Sequence, residues 1–368
     1  MKRVLVHGYF RANLGDDLFF RVLAMRYPDV QFYLPTTRCD YREMFKDLPN
    51  VRIIDFLQIA RLTSRKIYML PKLYSWQFMK RFDAVVCIGG SLFIDRQNPT
   101  SKDRIEAEQY SFICDWEYAK AAGVPYFVLG ANWGPCYNDY FFDYFNRAFD
   151  SLADLYFRDR ASFEMFAQKP AVRWGGDILM AHPAIRAAGS GLVRKKQIAV
   201  SVVEPGSKHG TGVDAAGYYR AVGAVCRDFQ ADGYDVKLLS FCKDEGDEEA
   251  CRRVLEELDD HSRVETVCYS GDWKQMLAVI GASERMLATR FHGTVLGWTL
   301  GVPVYSIAYS NKTLNLIADC GVQDSCIPMT ALDKLNADAV RKHAVIPADP
   351  GVFSGAEAAF VRLDKLLK

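Results

Sequence analysis

No apolar run in the sequence approaches the ~20 residues that a membrane-spanning helix requires. The opening Met1-Lys2-Arg3-Val4-Leu5-Val6-His7-Gly8 reads directly into a strand and is too short to be the apolar core of a secretion signal. A cytoplasmic location is therefore expected. Charge of one sign is also missing: 46 basic residues face 45 acidic ones, a formal charge of +1. That balance offers no basic face for nucleic acid, so no nucleic-acid partner is expected. Ten cysteines are present without a Cys-x-x-Cys pair, which excludes the spacing of a zinc ribbon or a redox couple. Many sit in apolar runs such as Val86-Cys87-Ile88, as small core residues do. Walker and Gly-x-Gly-x-x-Gly loops are absent, so ATP and NAD are unsupported. There is no Asp-x-Asp and no His/Cys/carboxylate cluster with ligand spacing, and neither metal nor cofactor is expected. Internal repeats and low-complexity segments are lacking too.

What is present is an ordinary globular composition, 50% hydrophobic and 25% charged, in a chain of 368 residues, long enough for two cores. Short β-rich runs alternate with helical periods. The first series of strands is Arg3–Val6, Val30–Leu34, Val51–Asp55, Ala84–Ile88 and Tyr126–Gly130. The second is Gln197–Val203, Asp235–Phe241, Val264–Val267, Arg285–Ala288 and Val304–Ile307. Helices are predicted over Asp214–Ala231, Asp244–Leu258, Asp272–Gly281, Phe291–Leu300 and Asn311–Cys320. Continuous apolar strands separated by helices imply parallel sheets covered on both faces, so the fold class is α/β with two doubly wound, Rossmann-like domains. The first domain is expected at 1–186 and the second at 197–345. The Gly-rich and basic stretch 187–196 serves as linker, and 346–368 forms a C-terminal helix. Ser354 and Glu357 have capping-box spacing, ahead of an apolar face formed by Phe360, Leu363 and Leu367.

Thr289-Arg290-Phe291-His292-Gly293 stands where a strand runs into a helix. Ligands of open α/β sheets bind at the carboxyl ends of strands, and helix N-termini favour anions there. Arg290 offers a planar fork for carboxylate or phosphate, and His292 can transfer a proton near neutral pH. The competing role for Arg290 is pairing with a structural carboxylate, and for His292 capping its own helix. The next strand ends in Ala308-Tyr309-Ser310-Asn311-Lys312, a second cationic strand end, so Arg290, His292 and Lys312 are expected to form an anion site. Lys312 as a solvated surface residue is the alternative. A glycine loop, Gly8 to Asp17, follows the first strand; Asp16 and Asp17 there either bind sugar hydroxyls, act as a base, or simply complement a helix dipole. Gly89-Gly90-Ser91 and Gly130 to Pro135 close two further strands, with Trp133 placed to stack on a sugar or to pack. His209, in the loop Glu204 to Gly210, is a rival acid.

Taken in order, Asn13-Leu14-Gly15-Asp16-Asp17, Gly89-Gly90-Ser91-Leu92-Phe93, Gly130 to Pro135, Phe157-Arg158-Asp159-Arg160-Ala161-Ser162, Asp177, Arg290-Phe291-His292 and Tyr309-Ser310-Asn311-Lys312 resemble the polysaccharide pyruvyl transferase family. The resemblance runs across roughly residues 1–325. Ser91 stands where that family commonly has a third glycine, and Asp177-Ile178-Leu179 replaces its usual Asp-Pro. The resemblance implies a glycosyltransferase-B-like pair of domains, donor side C-terminal and acceptor side N-terminal. It further implies phosphoenolpyruvate as donor and a sugar diol, free or lipid-linked, as acceptor. On that basis Arg290 and Lys312 hold the donor, His292 protonates its methylene, and Arg158 adds a positive contact. Asn13, Asp16, Asp17, Gly89, Gly90 and Trp133 complete the implied substrate site. A nucleotide-sugar glycosyltransferase and a catalytically silent sugar-binding protein remain alternatives. Between Arg61 and Phe82, six basic residues are interleaved with aromatics and no acidic one occurs. This segment either docks on an anionic membrane face or packs on the first domain.

Overall fold

Runs that are apolar at every position become central strands. β4 (Ala84–Ile88) and β5 (Tyr126–Ala131) are buried along their whole length. The computed structural model describes residues 1–36, 38, 40–55, 77–95, 115–180, 182–189, 191–207, 214–348 and 351–368. Around β4 and β5 the first sheet adds β1 (Arg3–Gly8), β2 (Gln31–Thr36), β3 (Val51–Asp55), β6 (Asp154–Phe157) and β7 (Val172–Trp174). All pairings are parallel, in the order β3-β2-β1-β4-β5-β6-β7. The direction of winding reverses between β1 and β4, the kind of point where doubly wound sheets hold ligands. The helix Asp139–Phe149 covers one face with Phe141, Phe145 and Phe149, which recur at the helical period.

The second sheet is built the same way from β8 (Lys195–Ser201), β9 (Asp235–Ser240), β10 (Val264–Cys268), β11 (Ser283–Ala288), β12 (Val304–Ala308) and β13 (Cys326–Pro328). Its order is β10-β9-β8-β11-β12-β13, again all parallel, with the reversal between β8 and β11. Two of its longer helices start at side-chain caps. Asp214 accepts from the Ala216 and Gly217 N–H groups, and Asp272 from Gln275.

The chain divides into two compact units. One comprises Met1–Phe10, Phe19–Ile178 and Glu357–Lys368; the other comprises Arg11–Leu18 and Leu179–Ala356. The boundary thus precedes the expected linker. Much of the stretch 187–196 lies inside elements of the second unit, the helix Pro183–Gly189 and the start of β8. The C-terminal region is not one helix from a capping box. Ser354 sits within the turn Val352–Gly355, which Gly351 precedes in a left-handed conformation. A 3₁₀ turn, Ala356–Phe360, and the helix Val361–Leu367 follow. Glu357 instead pairs with Arg26 at 2.8 Å, which outbids a local cap. No helix among the described residues is long and apolar enough to cross a membrane. Most of the basic aromatic segment 61–82, and His209, lie outside the described residues. Within its described end, Met79 and Phe82 are buried in the core of the first unit.

Candidate active site

In the second unit, Arg290 lies two residues beyond β11 and takes an extended conformation as the N-cap of the helix Phe291–Thr299. Its guanidinium is buried and engaged by two carboxylates. Nε donates to Asp247 Oδ2 at 2.8 Å, Nη2 donates to Asp247 Oδ1, and Nη1 donates to Glu245 Oε2 at 2.5 Å. Burial opposes the charge of Arg290, but Asp247 and Glu245 outweigh it and hold the group firmly protonated. Asp247 is fully buried and also accepts the Phe241 and Cys242 N–H groups at 3.0 Å, so it joins the end of β9 to Arg290. Of the two roles open to Arg290, the structure shows carboxylate pairing in place.

The glycine loop after β1 joins this cluster. Asn13 bridges Cys242, the Leu14 N–H donates to the Phe241 carbonyl at 3.0 Å, and the Asn13 amide reaches Glu245 at 3.4 Å. Asp17, buried, accepts from the Tyr269 hydroxyl at 3.0 Å, while Asp16 is half-buried. Gly15 lies directly against His292. A Cβ at position 15 would fall 1.7 Å from His292 Nδ1. The His292 ring stands 5.3 Å from that of Phe291, and Lys312 Nζ lies 5.8 Å from the Phe291 ring and 5.3 Å from that of Tyr309. Lys312 opens the helix Asn311–Asp319, which follows β12. Neither this helix nor Phe291–Thr299 has an acidic residue in its first turn. Two positive helix ends on consecutive strands thus carry no acidic residue of their own first turn. Cys242, buried beside Glu245, has its thiol pushed up to about 12 by burial, so it packs rather than attacks. Among the described residues the eight cysteines are free thiols, five of them buried.

The first unit gathers the remaining motifs at the carboxyl ends of β4 to β7. Arg158, buried, donates to Asp177 at 2.7 Å and to Asn132 at 2.6 Å, and its guanidinium passes beneath Gly90. A Cβ on Gly90 would meet Arg158 Nη2 at 1.7 Å, which is why only glycine fits there. Asp159 caps its own short helix through the Ser162 N–H at 2.8 Å and also accepts from Asn132. Arg158 is thus tied to Asn132 and Asp177 in a buried network beneath Gly90, which Gly89 precedes at the end of β4. Trp133 is half-buried. Its ring packs among Phe93, Phe141, Phe145, Phe149 and Phe166, at centroid distances from 4.9 to 6.0 Å. The exposed aromatic of that loop is Tyr137, whose backbone N–H, like that of Asn138, donates to buried Asp95 at 2.8 Å. Sequence reasoning missed Glu245, Asp247, Tyr269 and Tyr137. The stretch Cys242 to Asp247 behind a strand was the available signal for the first two. Among the described residues, no group of three or more His, Cys, Asp or Glu is arranged to hold a metal ion.

Two Rossmann-like units, each with its polar residues at the carboxyl ends of parallel strands, define an α/β chain of the glycosyltransferase-B-like kind. The fold is similar over 99% of both chains to UDP-GlcNAc 2-epimerase from Methanocaldococcus jannaschii, at 10% identity and a TM-score of 0.61. The Neisseria meningitidis UDP-GlcNAc 2-epimerase gives 0.58 at 11% identity, with 100% of each chain covered. The family profile described as polysaccharide pyruvyl transferase matches residues 13–311, and the chain belongs to that family. It is also 24% identical over 274 residues to the amylovoran biosynthesis protein AmsJ of Erwinia amylovora. That match takes in 69% of this chain and 63% of AmsJ, so it spans less than two thirds of the relative.

Proposed function

We propose that the protein moves the enolpyruvyl group of phosphoenolpyruvate onto two hydroxyls of a saccharide, giving a pyruvate ketal in polysaccharide biosynthesis. The observation that carries this reading is the pair of consecutive strand ends in the second unit. Each opens a helix whose first turn lacks acid, one bearing His292 and the other Lys312. Lys312 and the helix ends suit the phosphate and carboxylate of the donor. Protonated His292 delivers a proton to the donor methylene as a sugar hydroxyl attacks C2, and the hydroxyl's proton passes to solvent, from which His292 is reprotonated. Inorganic phosphate then leaves C2, the second hydroxyl bonds there, and its proton departs with the phosphate. Family membership supports this course, as does the steric fit of His292 against Gly15.

Thermal unfolding tests the donor. Phosphoenolpyruvate should raise Tm in a concentration-dependent way, as a ligand selective for the native state does, and UDP- or GDP-sugars should raise it less. A larger shift with a nucleotide sugar and none with phosphoenolpyruvate would replace this reading with a nucleotide-sugar glycosyltransferase.

A further inference from the structure

Arg290 has one positive charge and two carboxylate partners, and the two are not equivalent. Asp247 has no exposed side-chain surface, grips the Nε–Nη2 edge, and is fixed in turn by the Phe241 and Cys242 N–H groups. Glu245 belongs to a three-residue 3₁₀ turn, Lys243–Glu245, and its side chain is 18% exposed. It takes Nη1 at 2.5 Å, and its other oxygen accepts from the Asn13 amide at a long 3.4 Å. The triad carries one more negative charge than positive, which repels an incoming anion as it stands.

We propose that Glu245 is a built-in stand-in for ligand: its carboxylate occupies the Nη1 edge of Arg290 that a carboxylate or phosphate oxygen takes on binding. The exchange replaces one charge-assisted hydrogen bond by another of the same kind. Arg290 does not have to move, because Asp247 keeps its opposite edge. Asn13 is placed to follow the freed Glu245 carboxylate, which links the glycine loop to occupancy of the site. The inference deepens the donor reading and rests on it only in naming phosphoenolpyruvate as the physiological anion.

Calorimetric titration of the full chain with inorganic phosphate, at fixed ionic strength, tests it. Glu245→Gln removes the competing charge and should tighten phosphate binding roughly 10-fold. Glu245→Asp should stay near wild type, and Asp244→Asn, which removes the neighbouring charge of the same 3₁₀ turn, should change little. Unchanged or weaker binding by Glu245→Gln overturns the proposal. An equal gain from Asp244→Asn also overturns it, since general electrostatics would then suffice. Turnover of phosphoenolpyruvate is scored separately. Tighter phosphate binding without turnover leaves the exchange standing and removes the donor assignment.

Discussion

At position 15 even a methyl group would sit 1.7 Å from the His292 ring, so the imidazole and the glycine fix each other. Gly15→Ala must push the ring off its place and should lower the transfer rate by at least about tenfold, with secondary structure by circular dichroism unchanged. His292→Ala should cost about 10²–10⁴-fold, the worth of a positioned acid–base group, with donor affinity altered much less. Single-turnover rates beside donor titrations check both; near-wild-type turnover of His292→Ala would move proton transfer to another group. Arg290, His292 and Lys312 were legible as positions because each opens a helix after an apolar strand. The carboxylates that hold Arg290 were not. They lie 43 and 45 residues away in sequence, and no local pattern encodes such a pairing. Trp133 shows the same limit: a turn residue gives no sign of the phenylalanines that fold around it.

Longer elements were read well wherever one period dominated. Ala84–Ile88 and Val51–Asp55 have the expected bounds, and the predicted starts Asp214 and Asp272 are the caps of their helices. The strands missed are β6, β7 and β13, of four, three and three residues. Runs that short carry too few alternations to stand out, and their pairing depends on neighbours already in the sheet. The capping box failed because spacing alone does not reveal that Arg26 claims Glu357. Asp214 is a cap that can be weighed. It satisfies two N–H groups of the 17-residue helix Ala215–Ala231, so Asp214→Ala should cost about 1 kcal/mol. Urea unfolding midpoints at constant m-value would show it; no change would mean that water serves those N–H groups equally well.

For the molecule as a whole, the two-sheet architecture followed from the order of strands and helices, whereas the chain's return to its first unit did not. That return rests on Asp364. Burial pushes its carboxyl up, but hydrogen bonds from Arg26, Tyr27 and Lys368 prevail and bring it from 3.8 down to about 2. A folded value below the unfolded one means the contribution is complete above about pH 4 and fades as pH falls from there toward 2. Asp364→Asn should therefore lower stability by about 1 kcal/mol at pH 7, allowing for solvent screening, and the gap should close near pH 2. Unfolding curves of both proteins across that range provide the check, and a gap independent of pH would assign the loss to packing.

Residues 357–368 also set an order of events during synthesis. Every residue of the second unit is made before Glu357, yet the first unit needs this segment for the Arg26 and Tyr27 partners and for the carbonyls of Ala358 and Ala359 that Arg173 binds. Domains are ordinarily completed in the order in which the ribosome makes them, N-terminal first. Here the part of the chain that emerges first is the last to be finished. Translation of the whole second unit must pass before a short trailing segment seals the first.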